Sequence, residues 1–132
     1  MQVIGCYSLD MAKNKRAGSS KLVSTERRSP CPVACTLDVL GDRWTLLLIR
    51  DLFLGRTRFK DFEASPEGIP TNILSERLER LQAAGIIEQV PVDEGAKRFG
   101  YRLTAKGKAL APVLVAIRDW GLKWEKGTRV GV

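Results

Sequence analysis

The sequence contains no histidine, few cysteines and no long apolar run. Histidine is the commonest general base, proton shuttle and metal ligand near neutral pH, so its absence counts against most classes of enzyme and metal site. Three cysteines, Cys6, Cys31 and Cys35, are too few for a disulfide scaffold. No segment approaches the roughly 18 apolar residues of a membrane helix, and the N-terminus does not resemble a signal peptide. We therefore expect a cytoplasmic chain that is not an enzyme and contacts no cofactor, metal or membrane.

The composition indicates one globular domain with a basic extension. Of 132 residues, 44% are hydrophobic and 28% are charged, and the net charge of +7 favours a polyanionic partner. Residues 1–28 are basic and polar with few large apolar groups, which predicts a flexible N-terminal extension. It is either an inert solubilising tail or an arm that follows a phosphate backbone. Residues 29–126 are expected to form the domain, and residues 127–132 a frayed tail.

Two helices are predicted at the start of the domain. Pro32 suits a first helical turn and Gly41 suits a helix end, so the first helix should span residues 32–40. Asp42 is expected to be the N-cap of a second helix over residues 43–54, which is apolar nearly all round. That pattern predicts burial on several sides, with core positions for Trp44, Leu47, Leu48 and Phe53.

The stretch from Pro70 to Ile87 contains the most informative helix. Leu74, Leu78 and Leu81 follow a helical spacing, so one face of a helix over residues 71–84 is apolar and the opposite face is polar. A short helix near residues 59–64 and a turn containing Pro66, Gly68 and Pro70 precede it. Two helices joined by a tight turn predict a helix-turn-helix, whose second helix enters the DNA major groove.

A β-hairpin is predicted directly after this helix. Residues 86–90 and 99–103 have strand character, and Phe99, Tyr101 and Leu103 are expected to alternate inward. The turn between the strands carries Lys97 and Arg98, which suit phosphates or a narrow minor groove. A hairpin in this position is typical of the wing of a winged helix-turn-helix.

The C-terminal segment is predicted to be one helix, capped by Thr104 and extending from residue 105 to about 126, which Pro112 should kink or loosen in its early turns. Its apolar stripe is longer than a small core requires, which favours a dimer interface. The alternative is a helix that folds back on its own domain. The interface residues are predicted to be Leu110, Val113, Leu114, Ile117, Trp120 and Trp124.

Three motifs together resemble the HxlR-type winged helix-turn-helix transcriptional regulators. They are Gly41-Asp42-Arg43-Trp44, Leu74-Ser75-x-Arg77-Leu78 and Tyr101-x-Leu103-Thr104-x-x-Gly107, and the resemblance covers about residues 31–124. It implies a mainly α fold with a small β-hairpin wing (α+β) that dimerises through its N- and C-terminal helices. It also implies a cytoplasmic, nucleoid-associated protein that binds double-stranded DNA at an inverted-repeat operator.

The resemblance places the DNA-reading positions on the helix from Thr71 and the wing on residues 86–103. Base or phosphate contacts are expected from Thr71, Asn72, Ser75 and Arg77. Phosphate contacts are expected from Arg80, from the loop residues Arg56, Arg58 and Lys60, and from Lys97 and Arg98 of the wing. Glu76 and Glu79 would repel DNA unless they are paired, for instance Glu76 with Arg80.

Cys31 matches a cysteine that many members of that family carry ahead of the first helix, where it senses oxidants or electrophiles in several of them. A thiol at a helix N-terminus has more thiolate, which is its reactive form. The sequence leaves open whether Cys31 is a redox sensor or an inert thiol, and Cys35 is interpreted as buried and unreactive.

The predicted function is a sequence-specific DNA-binding transcriptional regulator that represses by occluding a promoter. The alternative is a winged-helix protein-interaction module without DNA binding, which unpaired Glu76 and Glu79 would favour. The operator and any small-molecule effector are not predicted.

Overall fold

The computed structural model describes residues 27–92 and 98–131, and within these ranges the chain forms six helices and one antiparallel hairpin. The predicted hairpin tip and most of the N-terminal extension lie outside the described residues. In the described part of the chain, no helix is long and apolar enough to cross a membrane. The chain divides into two compact units, and the boundary along the sequence falls between Asp42 and Arg43.

The first unit contains helix α1 (Pro32–Leu40), which confirms the predicted helix. Pro32 occupies the first turn, and the helix ends where the Gly41 N–H donates to the Leu37 carbonyl at 2.8 Å. Arg28, four residues before the helix, donates from Nε to Asp38 Oδ1 at 2.7 Å and so ties the preceding segment to α1.

The second unit contains the remaining elements in the order helix, helix-turn-helix, hairpin, two helices. Its core is made of aliphatic side chains with one aromatic ring, that of Phe62, at its centre. The bounds are α2 (Thr45–Phe53), α3 (Phe59–Glu63), α4 (Thr71–Ala83), β1 (Ile87–Pro91), β2 (Phe99–Leu103), α5 (Ala105–Lys108) and α6 (Ala111–Trp124). The predicted winged helix-turn-helix fold is confirmed.

Helix α2 starts later and is less enclosed than predicted. Its N-cap is Trp44, not Asp42, because residues 42–44 form a turn and the first helical bond runs from the Leu48 N–H to the Trp44 carbonyl. Leu48 is buried as expected, but Phe53 is 40% exposed, so its predicted core position is wrong. Phe53 is the last residue of the helix and extends beyond the surface that the other elements cover.

Helix α4 ends in a Schellman motif that leads into the wing. The Ile86 N–H donates to the Leu81 carbonyl, and the Gly85 N–H donates to the Gln82 carbonyl, both at 3.0 Å. Gly85 has φ +76°, a conformation that glycine adopts without a Cβ penalty. The chain therefore reverses within two residues and enters β1.

The hairpin pairs Ile87 with Leu103 at its base and Pro91 with Phe99 toward its tip. Leu103 is buried and Tyr101 is half-buried, but Phe99 is 49% exposed, so the predicted inward alternation is wrong at this residue. At Phe99 the hairpin extends beyond the edge of the core. Gly100 is buried instead, because β2 lies against the Thr57 carbonyl, which accepts from the Tyr101 N–H at 2.8 Å.

The C-terminal segment forms two helices, so the prediction of one kinked helix is wrong. Thr104 caps α5 as predicted, its Oγ1 accepting from the Gly107 N–H at 3.2 Å. A proline clashes with the carbonyl four residues earlier in a continuous helix, which here is that of Lys108. The chain avoids the clash by ending α5 at Lys108 and starting α6 at Ala111, which places Pro112 in a first turn.

The substitution Gly107→Ala should lower the free energy of unfolding by about 2 kcal/mol, the usual cost of overpacking. An added Cβ would lie 2.3 Å from the Ile86 carbonyl oxygen and 2.9 Å from Leu103 Cδ2. Urea denaturation measures the change. The matched control is Gly121→Ala, where no described atom lies within 4 Å and the variant should be at least as stable as the parent. Equal stability of the two variants would contradict the predicted close contact.

Candidate DNA-binding surface

Helix α4 has one buried face and one exposed face. Leu74, Leu78 and Leu81 are buried at 2% exposure or less and fix the helix to the core. Asn72 and Ser75 lie on the opposite face and are exposed. Both side chains carry hydrogen-bonding groups that match base edges or phosphate oxygens. The first two turns of α4 therefore present short polar side chains on a rigid support.

Thr71 is the first residue of α4, and its hydroxyl links the two helices of the helix-turn-helix. Thr71 Oγ1 donates to Glu63 Oε2 at 3.0 Å, and Glu63 is the last residue of α3. The hydroxyl can still accept a hydrogen bond from DNA, but its proton is already donated to Glu63. Thr71 thus holds the start of α4 in place as well as lying at the surface.

Arg77 and Arg80 flank the exposed face and share one carboxylate. Glu76 forms an ion pair with Arg77 and lies 3.8 Å from Arg80 Nε, at the expected helical spacing. The Arg77 side chain is only 17% exposed, whereas that of Arg80 is 43% exposed. Glu76 is therefore a paired carboxylate, and the feature that favoured a protein-interaction module is absent at this residue.

Asp51 is a buried carboxylate that joins α2 to the segments on either side of α3. Its side chain is 1% exposed. Arg56 Nη1 and Arg50 Nη2 each donate to Oδ1 at 2.8 Å, and the Ser65 hydroxyl donates to Oδ2. Arg56 and Ser65 lie before and after α3, so three segments converge on one side chain. A buried charge persists only when fixed donors replace its hydration, as they do here.

Arg50 extends this network to the turn before α4. Its Nη1 and Nη2 donate to the two carboxylate oxygens of Glu67, both at 2.9 Å. These hydrogen bonds hold the pKa of Glu67 below its ordinary value and raise the pKa of Arg50. The bidentate geometry fixes orientation as well as charge. We name the group Arg50, Asp51, Arg56, Ser65 and Glu67 the Asp51 network.

The loop cations predicted to contact DNA have different environments. Arg56 belongs to the Asp51 network, so part of its donor capacity is used inside the protein. Arg58 is the half-buried N-cap of α3, where Asp61 accepts from the N–H groups of Thr57 and Arg58 at 3.0 Å. Those bonds lower the pKa of Asp61. Lys60 is exposed on α3.

The wing contributes fewer described side chains. Arg98 is exposed beside β2, and its carbonyl accepts from the Val92 N–H at 3.1 Å. Lys97 lies outside the described residues. Arg102, lower on the hairpin, pairs with Glu88 across the strands at 2.6 Å.

Both cysteines near α1 are reduced. Cys31 occupies the N-cap position and is 3% exposed, and its N–H donates to Ser29 Oγ at 3.0 Å. Cys35 Sγ lies 3.1 Å from the Ser29 carbonyl oxygen and is half-buried, not fully buried as predicted. Cys6 lies outside the described residues. Among those that are described, no group of three or more His, Cys, Asp or Glu side chains has the arrangement of a metal site.

The predicted dimer-interface residues lie on or next to α6, and no residue of this helix is buried. Trp120 and Trp124 are each 60% exposed and Ile117 is 50% exposed. Leu110 and Leu114 are half-buried, and Val113 is 36% exposed. Helix α1 also exposes apolar groups, with Val33 at 50% and Leu37 at 54%.

Sequence reasoning missed the Asp51 network. The available signal was a carboxylate inside the apolar run WTLLLIRDLFL, since a charge in such a run must find partners when it is buried. Ser65 and Glu67, the neighbours of Pro66 in the predicted turn, carried no comparable signal.

The chain has a helix-turn-helix joined by the buried Asp51 network, an exposed polar face on the second helix and a hairpin that follows that helix. These features together define a winged helix-turn-helix protein. Residues 39–129 match the family described as HxlR-like helix-turn-helix, which is more than half of the chain. The protein therefore belongs to the HxlR-like helix-turn-helix family, as the sequence motifs predicted.

Individual relatives agree with this assignment. The uncharacterised HTH-type transcriptional regulator YvaP of Bacillus subtilis is 39% identical over 88 residues, which are 67% of this chain and 82% of YvaP. The crystal structure of PA1607, a candidate transcription factor, superposes with a TM-score of 0.72 at 44% identity, covering 80% of this chain and 75% of PA1607. The redox regulator HypR in its reduced form has a TM-score of 0.63 at 30% identity, covering 70% of this chain and 91% of HypR.

The substitution Asp51→Asn should lower the free energy of unfolding by about 3 kcal/mol, because it leaves two guanidinium groups beside a neutral amide. Chemical denaturation measures the change. The control is Asp119→Asn, whose carboxylate is 60% exposed and pairs with Arg118 at the surface. That change should stay within about 0.5 kcal/mol of the parent. A similarly small effect at Asp51 would show that the network does not stabilise the fold.

Proposed function

We propose that the protein is a DNA-binding transcriptional regulator that inserts the first two turns of α4 into the major groove. The observation that carries the proposal is the exposed pair Asn72 and Ser75 on a helix whose other face is fully buried. Such a helix holds its side chains in a fixed direction, which base recognition requires. The named function of YvaP and the candidate function of PA1607 support the same conclusion.

Backbone contacts are proposed for the cations around α4. Lys60 on α3 and Arg98 beside β2 are both exposed, and the chain carries a net charge of +7. Phosphate contacts of this kind set the position of a protein on the duplex without reading sequence. The Arg77 side chain is partly enclosed and pairs with Glu76, so we propose for it a phosphate contact at the edge of the DNA major groove and no base contact.

We further propose that the protein acts as a homodimer on an inverted repeat. The support is the exposed apolar surface of α6, together with Val33 and Leu37 of α1. Leaving two tryptophans in water is unfavourable, and a two-fold interface buries each of them while presenting two copies of α4. Half-sites about one helical turn apart would then be occupied together. Bound within a promoter in the cytoplasm, at the nucleoid, such a dimer represses by excluding RNA polymerase.

A redox response is proposed for Cys31. The thiol lies at the N-cap position of α1, and HypR, a protein of similar structure, is a redox regulator. Because Cys31 is 3% exposed, oxidation requires a local rearrangement that exposes the thiol. A change at this residue would then alter α1, which belongs to the proposed dimer interface.

The DNA-binding proposal is tested on sequences selected from genomic DNA by the full-length reduced protein. Asn72→Ala and Ser75→Ala should each weaken binding to the selected site by about 1–3 kcal/mol while leaving binding to unrelated duplexes unchanged. Lys60→Gln should weaken binding to all sequences and reduce the slope of log K against log salt by about one.

The matched control for the charge change is Lys126→Gln, which follows α6 and should leave both affinity and slope unchanged. Sedimentation of the complex should give two chains per duplex. Binding that does not depend on salt, or equal loss of specific and unspecific binding in Asn72→Ala, would contradict the proposed role of α4.

The redox proposal is tested by repeating the DNA titration after treatment with diamide, which oxidises two thiols to a disulfide, here one Cys31 from each protomer, and is itself reduced to the hydrazine. The parent protein and Cys35→Ser should both lose about tenfold in affinity, a typical coupling between two sites, whereas Cys31→Ser should not respond. Reduction with dithiothreitol should restore binding. A Cys31→Ser protein that responds like the parent would exclude this residue as the sensor.

A further inference from the structure

A cavity of about 310 Å³ opens between the end of α2, the loop that follows it, strand β2 and helix α5. It lies within the second unit and does not involve the exposed face of α4. Its lining consists of Leu52, Phe53, Thr57, Tyr101, Arg102, Leu103 and Lys108. It is broadly open to solvent and not enclosed.

Most of the lining is apolar. Leu52 and Leu103 are buried at 8% exposure each and belong to the core. Phe53 is 40% exposed, and Tyr101 is half-buried with its ring 6.2 Å from that of Phe62. Two aromatic side chains and two leucines thus offer contacts to a flat apolar body. Covering Phe53 removes apolar surface from water, which favours an occupant of that kind.

The charges around the cavity have one sign. Arg102 and Lys108 line it, and none of the described lining residues is acidic. Arg102 already pairs with Glu88, which is not part of the lining. Lys108 is exposed, and in the described part of the chain no carboxylate forms an ion pair with it. The ammonium group of Lys108 is therefore available to a ligand at the edge of an apolar cavity.

We propose that this cavity binds a small organic anion, a monocarboxylate carried by an aromatic body of one or two rings. The carboxylate pairs with the Lys108 ammonium group, with Arg102 adding positive potential, and the rings contact Phe53 and Tyr101. One available cation and an apolar lining do not suit a polyphosphate, which requires several donors. This site is separate from the DNA-binding surface, so it does not rest on the proposed function.

The test uses the full-length reduced protein without DNA, with 1-naphthoate as the probe and 1-naphthalenemethanol as its uncharged counterpart. Calorimetric titration should show saturable binding of the acid and at least about tenfold weaker binding of the alcohol, the loss expected for one charge-assisted contact. Amide NMR shifts should localise the acid to Phe53, Thr57 and Tyr101.

Two lysines of α5 provide a matched pair of variants. Lys108→Gln should weaken naphthoate binding by about tenfold. Lys106→Gln should leave binding unchanged, because Lys106 Nζ donates to the Ala84 carbonyl at 2.7 Å and does not line the cavity. Unfolding curves of both variants verify that they are folded.

Three results would overturn the proposal. The first is equal affinity for the acid and the alcohol, which would leave an apolar groove without anion selectivity. The second is equal loss of binding in the Lys106 and Lys108 variants. The third is binding that weakens as the protein concentration rises, because that would assign the cavity to contact with a second copy of the chain.

Discussion

A carboxylate that leaves water must regain its lost hydration from fixed donors, and Asp51 regains it from the guanidinium groups of Arg50 and Arg56 and from the Ser65 hydroxyl. These donors come from α2 and from both sides of α3, and Arg50 continues to Glu67 in the turn before α4. The network therefore joins α2 to the residues before and after α3 and to the turn that leads into α4. The buried leucines of α4 then set the direction in which its polar face points.

The same network separates two roles that cations have around a helix-turn-helix. Arg50 and Arg56 both carry positive charge, but each forms an ion pair with the buried carboxylate of Asp51, which neutralises part of that charge. Lys60 is exposed on α3 and does not belong to the network. A count of basic residues thus overstates the positive potential that DNA would meet, because some of these residues stabilise the protein. Whether a cation stabilises the protein or is available to DNA depends on which carboxylates lie beside it.

Local patterns in the sequence were sufficient for α1, α3, α4 and the hairpin, because proline, glycine and the leucine spacing determine where those elements begin, end and pack. They failed where distant residues decide the outcome. The pairing of Asp51 with Ser65 joins residues fourteen positions apart, and nothing in either neighbourhood specifies it. Phe53 and Phe99 looked like core residues because burial was inferred from residue type, whereas the extent of the neighbouring elements determines it. The break before α6 was overlooked because Pro112 was interpreted as a kink within one helix.

That break separates α5 from α6 by the residues Ala109 and Leu110. Thr104 fixes α5 to the end of α4, since its hydroxyl donates to the Gly85 carbonyl at 2.6 Å. The backbone torsions of these two residues therefore set the direction of α6 relative to α5. In a dimer formed through α6, the distance between the two copies of α4 would be adjusted there. In such a dimer, a substitution at this short junction would change the spacing of the two copies of α4 while leaving the winged helix unchanged.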